Sequence, residues 1–170
     1  MNNLAEHTVP SPVRTSPPAR HRAAIPAIQR FRCQDARWPD IAAALAELRA
    51  AKRCSVRIVD TDCGTGALLL CAARHARSLG FTAIEALGLD DTPALVDRAR
   101  AAAAIVHDPA IGITFETADL ASALGGETDF PADIVVWHGC RDCDAALAEA
   151  VAAAGHTLIG DPAETTGTQP

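Results

Sequence analysis

The chain has no Tyr, a single Met and a single Lys among its 170 residues, and aromatic residues make up only 4% of it. Its longest unbroken apolar run, Ala67 to Ala73, is far shorter than the roughly 20 residues that a membrane-spanning helix requires. The first residues also lack the basic and apolar regions of a secretory signal peptide. We therefore expect a cytoplasmic protein that does not bind a membrane.

Without a signal peptide, cysteines are expected to remain reduced rather than to form disulfides. The chain has six of them: Cys33, Cys54, Cys63, Cys71, Cys140 and Cys143. His138, Cys140 and Cys143 contain the C-x-x-C spacing of half a zinc site, but a closed site needs four ligands and the sequence offers no second pair. We predict free thiols and no metal.

Charge is distributed unevenly along the chain. Residues 1–34 contain five Arg and one Glu, whereas residues 35–170 contain ten basic and twenty acidic residues. An acidic surface repels phosphate backbones, so a nucleic-acid partner is not expected. The first segment is rich in Pro and has no lasting apolar period, which predicts a disordered Pro/Arg-rich arm at 1–34 followed by one domain at 35–170.

The rest of the chain alternates between two hydrophobic periods. A helix begins at Trp38 and Pro39, with Ile41, Ala44, Leu45 and Leu48 on one face. Predicted strands follow near 56–59, 83–89, 111–115, 132–137 and 156–160, and predicted helices lie near 67–79, 92–106 and 142–154. Alternation of this kind indicates an α/β fold. We predict a Rossmann-like, doubly wound, mostly parallel five-stranded sheet with helices on both faces.

Polar residues of unusual type follow the strands of this predicted sheet. Asp60, Asp62, Gly64 and Gly66 follow the first strand, Asp90 the second, Asp119 the third and His138 the fourth. The carboxyl ends of parallel strands share one edge, where such folds bind their ligands. Paired glycines allow a ligand to approach the backbone, and an acid that closes the second strand can accept both hydroxyls of a ribose. The pattern predicts a nucleoside-containing ligand.

The segments VDTDCGTG, GLDDTPALVDRAR, FETADL and FPADIVVW resemble, in order and spacing, motifs one to four of the class I S-adenosylmethionine-dependent methyltransferases. The resemblance covers about residues 53–160. It implies that Asp60 and the Gly64 to Gly66 loop flank the methionyl group of S-adenosylmethionine and that Asp90 holds the ribose. It also implies that Asp119 lies beside the adenine amine, with Ala118 and the Leu89 region as apolar walls.

A nicotinamide dinucleotide-binding fold is the nearest alternative. That fold needs a third small residue three positions after Gly66, where this chain has Leu69. Acids such as Asp60 and Asp119 would also repel a pyrophosphate. We therefore favour the methyltransferase interpretation.

Two departures from the family pattern bear on activity. Asp62 stands where the family has Gly, so a side chain and a charge enter the turn beside the methionyl group, and we predict that Asp62→Gly tightens donor binding. We also expect the two strands that usually follow the fifth to be absent, leaving an open sheet edge for a protein partner or a second copy.

The sequence thus predicts a methyltransferase of unknown acceptor, with His138 as a candidate base, or alternatively a binding or scaffold subunit without activity. An Asn-Pro-Pro-aromatic motif is missing after strand four, which disfavours a base amine as acceptor.

Overall fold

The computed structural model describes residues 33–127, 130–138 and 145–161. Most of the predicted arm, Cys140 and Cys143 therefore lie outside the described residues. No helix within the described residues is long and apolar enough to cross a membrane.

Helices and strands alternate along the described part of the chain. The helices are α1 (Trp38–Ala50), α2 (Ala67–Ser78), α3 (Pro93–Ala103), α4 (Leu120–Glu127) and α5 (Ala145–Ala153). The strands are β1 (Ser55–Asp60), β2 (Ala83–Asp90), β3 (Ile111–Thr117), β4 (Ala132–Val136) and β5 (Gly155–Ile159). The five strands lie within about two residues of their predicted positions.

All five strands form one parallel sheet in the order β3-β2-β1-β4-β5. From β1 the chain builds outward to β3, then crosses back to place β4 on the other side of β1. Asp60, the last residue of β1, pairs with Gly88 of β2 and with Val136 of β4. Asp60 therefore ends its strand where the direction of winding reverses, which is the position at which doubly wound sheets bind ligands.

The sheet is covered on both faces, as predicted. Ile41 and Leu45 of α1 pack with α2, α3 and one face of the strands in the larger core cluster. Leu124 of α4 and Val151 of α5 pack with Val59 and other residues of the opposite face. Parallel sheets need this double cover because both faces carry apolar side chains.

One helix of the fold was not predicted from the sequence. Helix α4 was not predicted, because it has only eight residues and two of them are glycines. In α3 the buried residues are Val96 and Ala99, and Leu95 is half-buried. Cys33 packs against the larger core cluster, and the boundary between arm and domain at residues 34 and 35 stays a prediction.

Strand β5 lies at one edge of the described sheet and β3 at the other. Leu158 of β5 is 43% exposed. A partner at this edge stays a prediction.

Candidate functional site

The loop after β1 turns on two glycines. Gly64 and Gly66 have φ of +54° and +75°, in the left-handed region where side chains are disfavoured. A Cβ on Gly66 would lie 2.5 Å from Cζ of buried Phe115, whereas a Cβ on Gly64 would meet nothing within 4 Å. Gly66 is thus required by packing, and Gly64 faces open space at the carboxyl edge of the sheet.

Asp90 links this loop to β2. The side chain is 2% exposed, and its Oδ2 accepts a hydrogen bond of 2.8 Å from the N–H of Gly64. Its Oδ1 accepts another of 2.8 Å from the N–H of Thr92, which precedes α3. Asp90 therefore fixes the loop and the start of α3 together, a structural task in addition to the predicted contact with a ribose.

Asp60 is buried beside this loop with an unsatisfied oxygen. The residue is 1% exposed, and Oδ1 has no hydrogen-bond partner. Burial raises the pKa of Asp60 to about 7, while the positive charge of Arg37 acts in the opposite direction. Buried polar atoms in proteins are nearly always hydrogen-bonded, so this atom marks a place for a donor group.

Arg37, at the start of α1, is the residue of this site that sequence reasoning missed. It is 2% exposed, and its Nε and Nη2 donate to the two oxygens of Asp35, each at 2.9 Å. Asp161 lies 3.7 Å from Nε. Nη1 is buried and has no partner. No motif contains Arg37, and the only signal was its place directly before the Trp-Pro that begins α1.

His138 lies between Arg37 and Asp161. Its Nε2 is 2.6 Å from Nη2 of Arg37, and its Nδ1 is 3.1 Å from Oδ1 of Asp161. Because a guanidinium can only donate, Nε2 accepts from Arg37 and the ring proton of a neutral His138 is on Nδ1. The role of His138 as a base stays a prediction, and it requires Arg37 to leave Nε2.

Asp62 follows β1 at the same edge, with an exposed side chain and a backbone that is not left-handed. Lys52 is the one non-glycine residue with positive φ among those described, so Asp62 does not adopt the left-handed conformation. The backbone at Asp62 thus does not need the positive φ that favours Gly, and the effect of Asp62 on donor binding stays a prediction. Partial burial raises the pKa of Asp62, with further contributions from the negative charges of Asp90 and Asp91.

Asp119 follows β3 and is exposed. Its Oδ1 accepts a hydrogen bond of 3.0 Å from the N–H of Ser122, so it caps the start of α4, and this bond lowers the pKa of Asp119. Of the predicted adenine walls, Leu89 is buried in the smaller core cluster and Ala118 is half-buried against it. The role of Asp119 in binding stays a prediction.

A surface recess of about 850 Å³ lies at the opposite edge of the sheet. Its charged groups are already paired, Arg53 with Asp133 at 2.8 Å and Arg57 with Glu85 at 2.9 Å. Among the described residues, the buried side-chain atoms without partners belong to Arg37 and Asp60 at the carboxyl edge. The carboxyl edge is therefore the better candidate site.

No protein-family model and no curated protein matches the sequence. Solved structures do match. The magnesium protoporphyrin IX methyltransferase of Synechocystis PCC 6803 with bound SAH matches with TM-score 0.52 and 23% identity over 72% of this chain and 54% of that one. The same enzyme with bound SAM gives TM-score 0.52 and 23% identity over 72% and 57% of the two chains. The fold is that of the class I S-adenosylmethionine-dependent methyltransferases.

The methyltransferase fold confirms the predicted fold class. The chain spans little more than half the length of the enzyme that it matches. Leu69 is 1% exposed and lies in the larger core cluster. The structure brings Asp60, Asp62, Gly64, Gly66 and Asp90 to one edge.

Proposed function

We propose that this chain binds S-adenosylmethionine at the carboxyl edge of its sheet and transfers the methyl group to an acceptor. The observation that carries the proposal is the charge of this edge. Among the described residues, this edge has the carboxylates of Asp35, Asp60, Asp62, Asp90 and Asp161 and one arginine, Arg37, on which Asp35, Asp60 and Asp161 act electrostatically. Such an edge attracts a cationic ligand.

The negative charge of this edge distinguishes between S-adenosylmethionine and a nicotinamide dinucleotide as ligands. A nicotinamide dinucleotide would bring its pyrophosphate toward Asp60 and Asp62, and like charges in a partly buried site repel strongly. S-adenosylmethionine instead brings a sulfonium and an ammonium group together with one carboxylate. The excess of carboxylates in the described part of this edge thus supports S-adenosylmethionine over the dinucleotide.

The residues present also fit this ligand. The unpartnered Oδ1 of Asp60 can accept from the donor's ammonium, and the open space at Gly64 leaves room for a ligand to approach the loop. Asp90 would hold the ribose and Asp119 the adenine amine. The bound donor supplies an activated methyl group, and the chain's own residues orient that donor and hold its charges away from water.

Two further observations support the proposal. The similar structures of the magnesium protoporphyrin IX methyltransferase contain SAM or SAH. Cys33, Cys54, Cys63 and Cys71 are free thiols, which supports the cytoplasmic location that we also propose.

A thermal-shift experiment tests the proposal without knowledge of the acceptor. A ligand at about 100 times its dissociation constant stabilises the folded state by roughly 2.7 kcal/mol. We expect S-adenosylmethionine and S-adenosylhomocysteine to raise the melting temperature and NAD to leave it unchanged. A shift with NAD alone would overturn the proposal, and no shift with any of the three would favour the scaffold alternative.

A further inference from the structure

We propose that Nη1 of Arg37 is a carboxylate-binding group that holds the α-carboxylate of the donor's amino-acid moiety. The inference rests on the proposed function and assigns a role to a residue outside every motif of the sequence. It follows from which nitrogens of Arg37 are occupied.

The guanidinium of Arg37 is fixed on one side only. Asp35 accepts from Nε and Nη2 at 2.9 Å each, and His138 lies 2.6 Å from Nη2. Nη1 has no acceptor although the side chain is 2% exposed. An unsatisfied buried donor is costly, and a carboxylate is the acceptor that a guanidinium binds best.

The position of Asp60 specifies the kind of carboxylate. Asp60 is close enough for its charge to act on Arg37, and its own Oδ1 also lacks a partner. The two unpartnered atoms are one cationic donor and one carboxylate acceptor. Together they complement the carboxylate and the ammonium of an α-amino acid.

Charge also argues against a simple anion. Asp35, Asp60 and Asp161 all act electrostatically on Arg37. A free anion would be repelled by these three carboxylates, whereas a zwitterion brings its own cation to offset them. If Arg37 served only as a counterion for Asp60, Nη1 and Oδ1 would be hydrogen-bonded to each other, and they are not.

The experiment compares three adenosyl compounds by titration calorimetry with the full chain and with Arg37→Gln. S-adenosylmethionine contains both amino-acid charges, decarboxylated S-adenosylmethionine lacks the carboxylate, and 5′-methylthioadenosine lacks the amino-acid moiety. We expect Arg37→Gln to weaken the first at least tenfold, to leave the second unchanged or tighter, and to change the third less than twofold. Arg37→Lys should weaken the binding of S-adenosylmethionine to an intermediate degree, because lysine keeps the positive charge but lacks the planar set of donors of a guanidinium.

Controls separate binding from folding. Arg100→Gln removes an arginine whose Nε donates to the backbone oxygen of Phe115, away from the site, and should leave all three affinities unchanged. Asp35→Asn keeps Arg37 but weakens the pair of hydrogen bonds that holds its guanidinium in place. The affinity for S-adenosylmethionine should therefore fall, and the affinity for 5′-methylthioadenosine should not change. This variant provides the test if Arg37→Gln does not fold.

The outcomes distinguish this inference from the proposed function. If 5′-methylthioadenosine binds and Arg37→Gln has an unchanged affinity for S-adenosylmethionine, the inference alone is overturned. Any carboxylate that Arg37 binds would then belong to the methyl acceptor. Equal weakening of all three compounds would show a merely structural role and overturn it too. If no adenosyl compound binds the unaltered chain, both the inference and the proposed function are wrong.

Discussion

Asp90 and Gly64, 26 positions apart in the sequence, are joined by a hydrogen bond of 2.8 Å from the backbone N–H of Gly64 to Oδ2 of Asp90. The bond connects the end of β2 to the loop after β1. The acid with the predicted ribose contact therefore also holds the glycine loop in place, so binding and stability are coupled at this residue.

We predict that Asp90→Ala both weakens donor binding and destabilises the fold. Its loss removes the charged acceptor of two backbone N–H groups, those of half-buried Gly64 and exposed Thr92. The free energy of unfolding should fall by about 2 kcal/mol or more. Affinity for S-adenosylmethionine should fall by about 1–3 kcal/mol.

Denaturant unfolding and titration calorimetry measure the two effects. The matched control is Asp91→Ala, because Asp91 is exposed and bonds only the side chain of Thr92 among the contacts described. Asp91→Ala should leave the free energy of unfolding nearly unchanged and should lower the affinity far less than Asp90→Ala. Unchanged affinity in a folded Asp90→Ala variant would remove Asp90 from the binding site.

Alanine at the two loop glycines should have unequal effects. At Gly66 the new Cβ would overlap Phe115, so Gly66→Ala should lower the free energy of unfolding by about 3 kcal/mol or more. At Gly64 the space is open, and only the left-handed backbone costs about 1–2 kcal/mol. Chemical denaturation of both variants checks this, and equal losses would show that the loop is not packed as described.

The raised pKa of Asp60 predicts a pH-dependent stability. Because the folded state binds this proton more tightly than the unfolded chain, the contribution of Asp60 is complete below about pH 4. It is lost as the pH rises toward the folded pKa of about 7. The loss amounts to at most about 4 kcal/mol, at 1.36 kcal/mol for each pH unit.

The comparison with Asp60→Asn isolates this contribution. Unfolding free energies of both proteins, measured at intervals from pH 4 to pH 8, should show the wild type losing stability relative to the variant up to about pH 7. A constant difference across this range would mean that Asp60 is not buried as described.

Removal of the charge of Asp62 should weaken donor binding, contrary to the expectation from sequence. The backbone of Asp62 is not left-handed, so Asp62→Gly relieves no strain. Its carboxylate instead adds to the field that attracts a cationic donor. We predict that Asp62→Asn weakens S-adenosylmethionine binding a few-fold, more at low than at high salt, with little change in melting temperature. Tighter binding in calorimetry would restore the earlier expectation.

The sheet could be predicted from the sequence because each strand is a short apolar run with a polar residue or a glycine near its end. Asp60, Asp90 and the glycine loop indicate where the first two strands end, and the alternation with helices predicts that the strands are parallel. Helix α4 could not be found in the same way, since its apolar period is too short and Gly125 and Gly126 resemble a turn.

The site was predicted only in part for a different reason. Motif spacing identifies residues at strand ends, but Arg37 reaches the site from the segment before α1. Its partners are Asp35, two positions away, and His138, 101 positions away. Only the fold reveals such a contact. Likewise, the sequence cannot show that Asp119 caps α4 when α4 itself is not predicted.

The central claim is that the acidic carboxyl edge binds S-adenosylmethionine, and titration calorimetry of the full chain near pH 7.5 tests it most directly. Parallel titrations use S-adenosylmethionine and NAD. We predict saturable binding of one S-adenosylmethionine per chain and no binding of NAD. Binding of NAD without binding of S-adenosylmethionine would contradict the account.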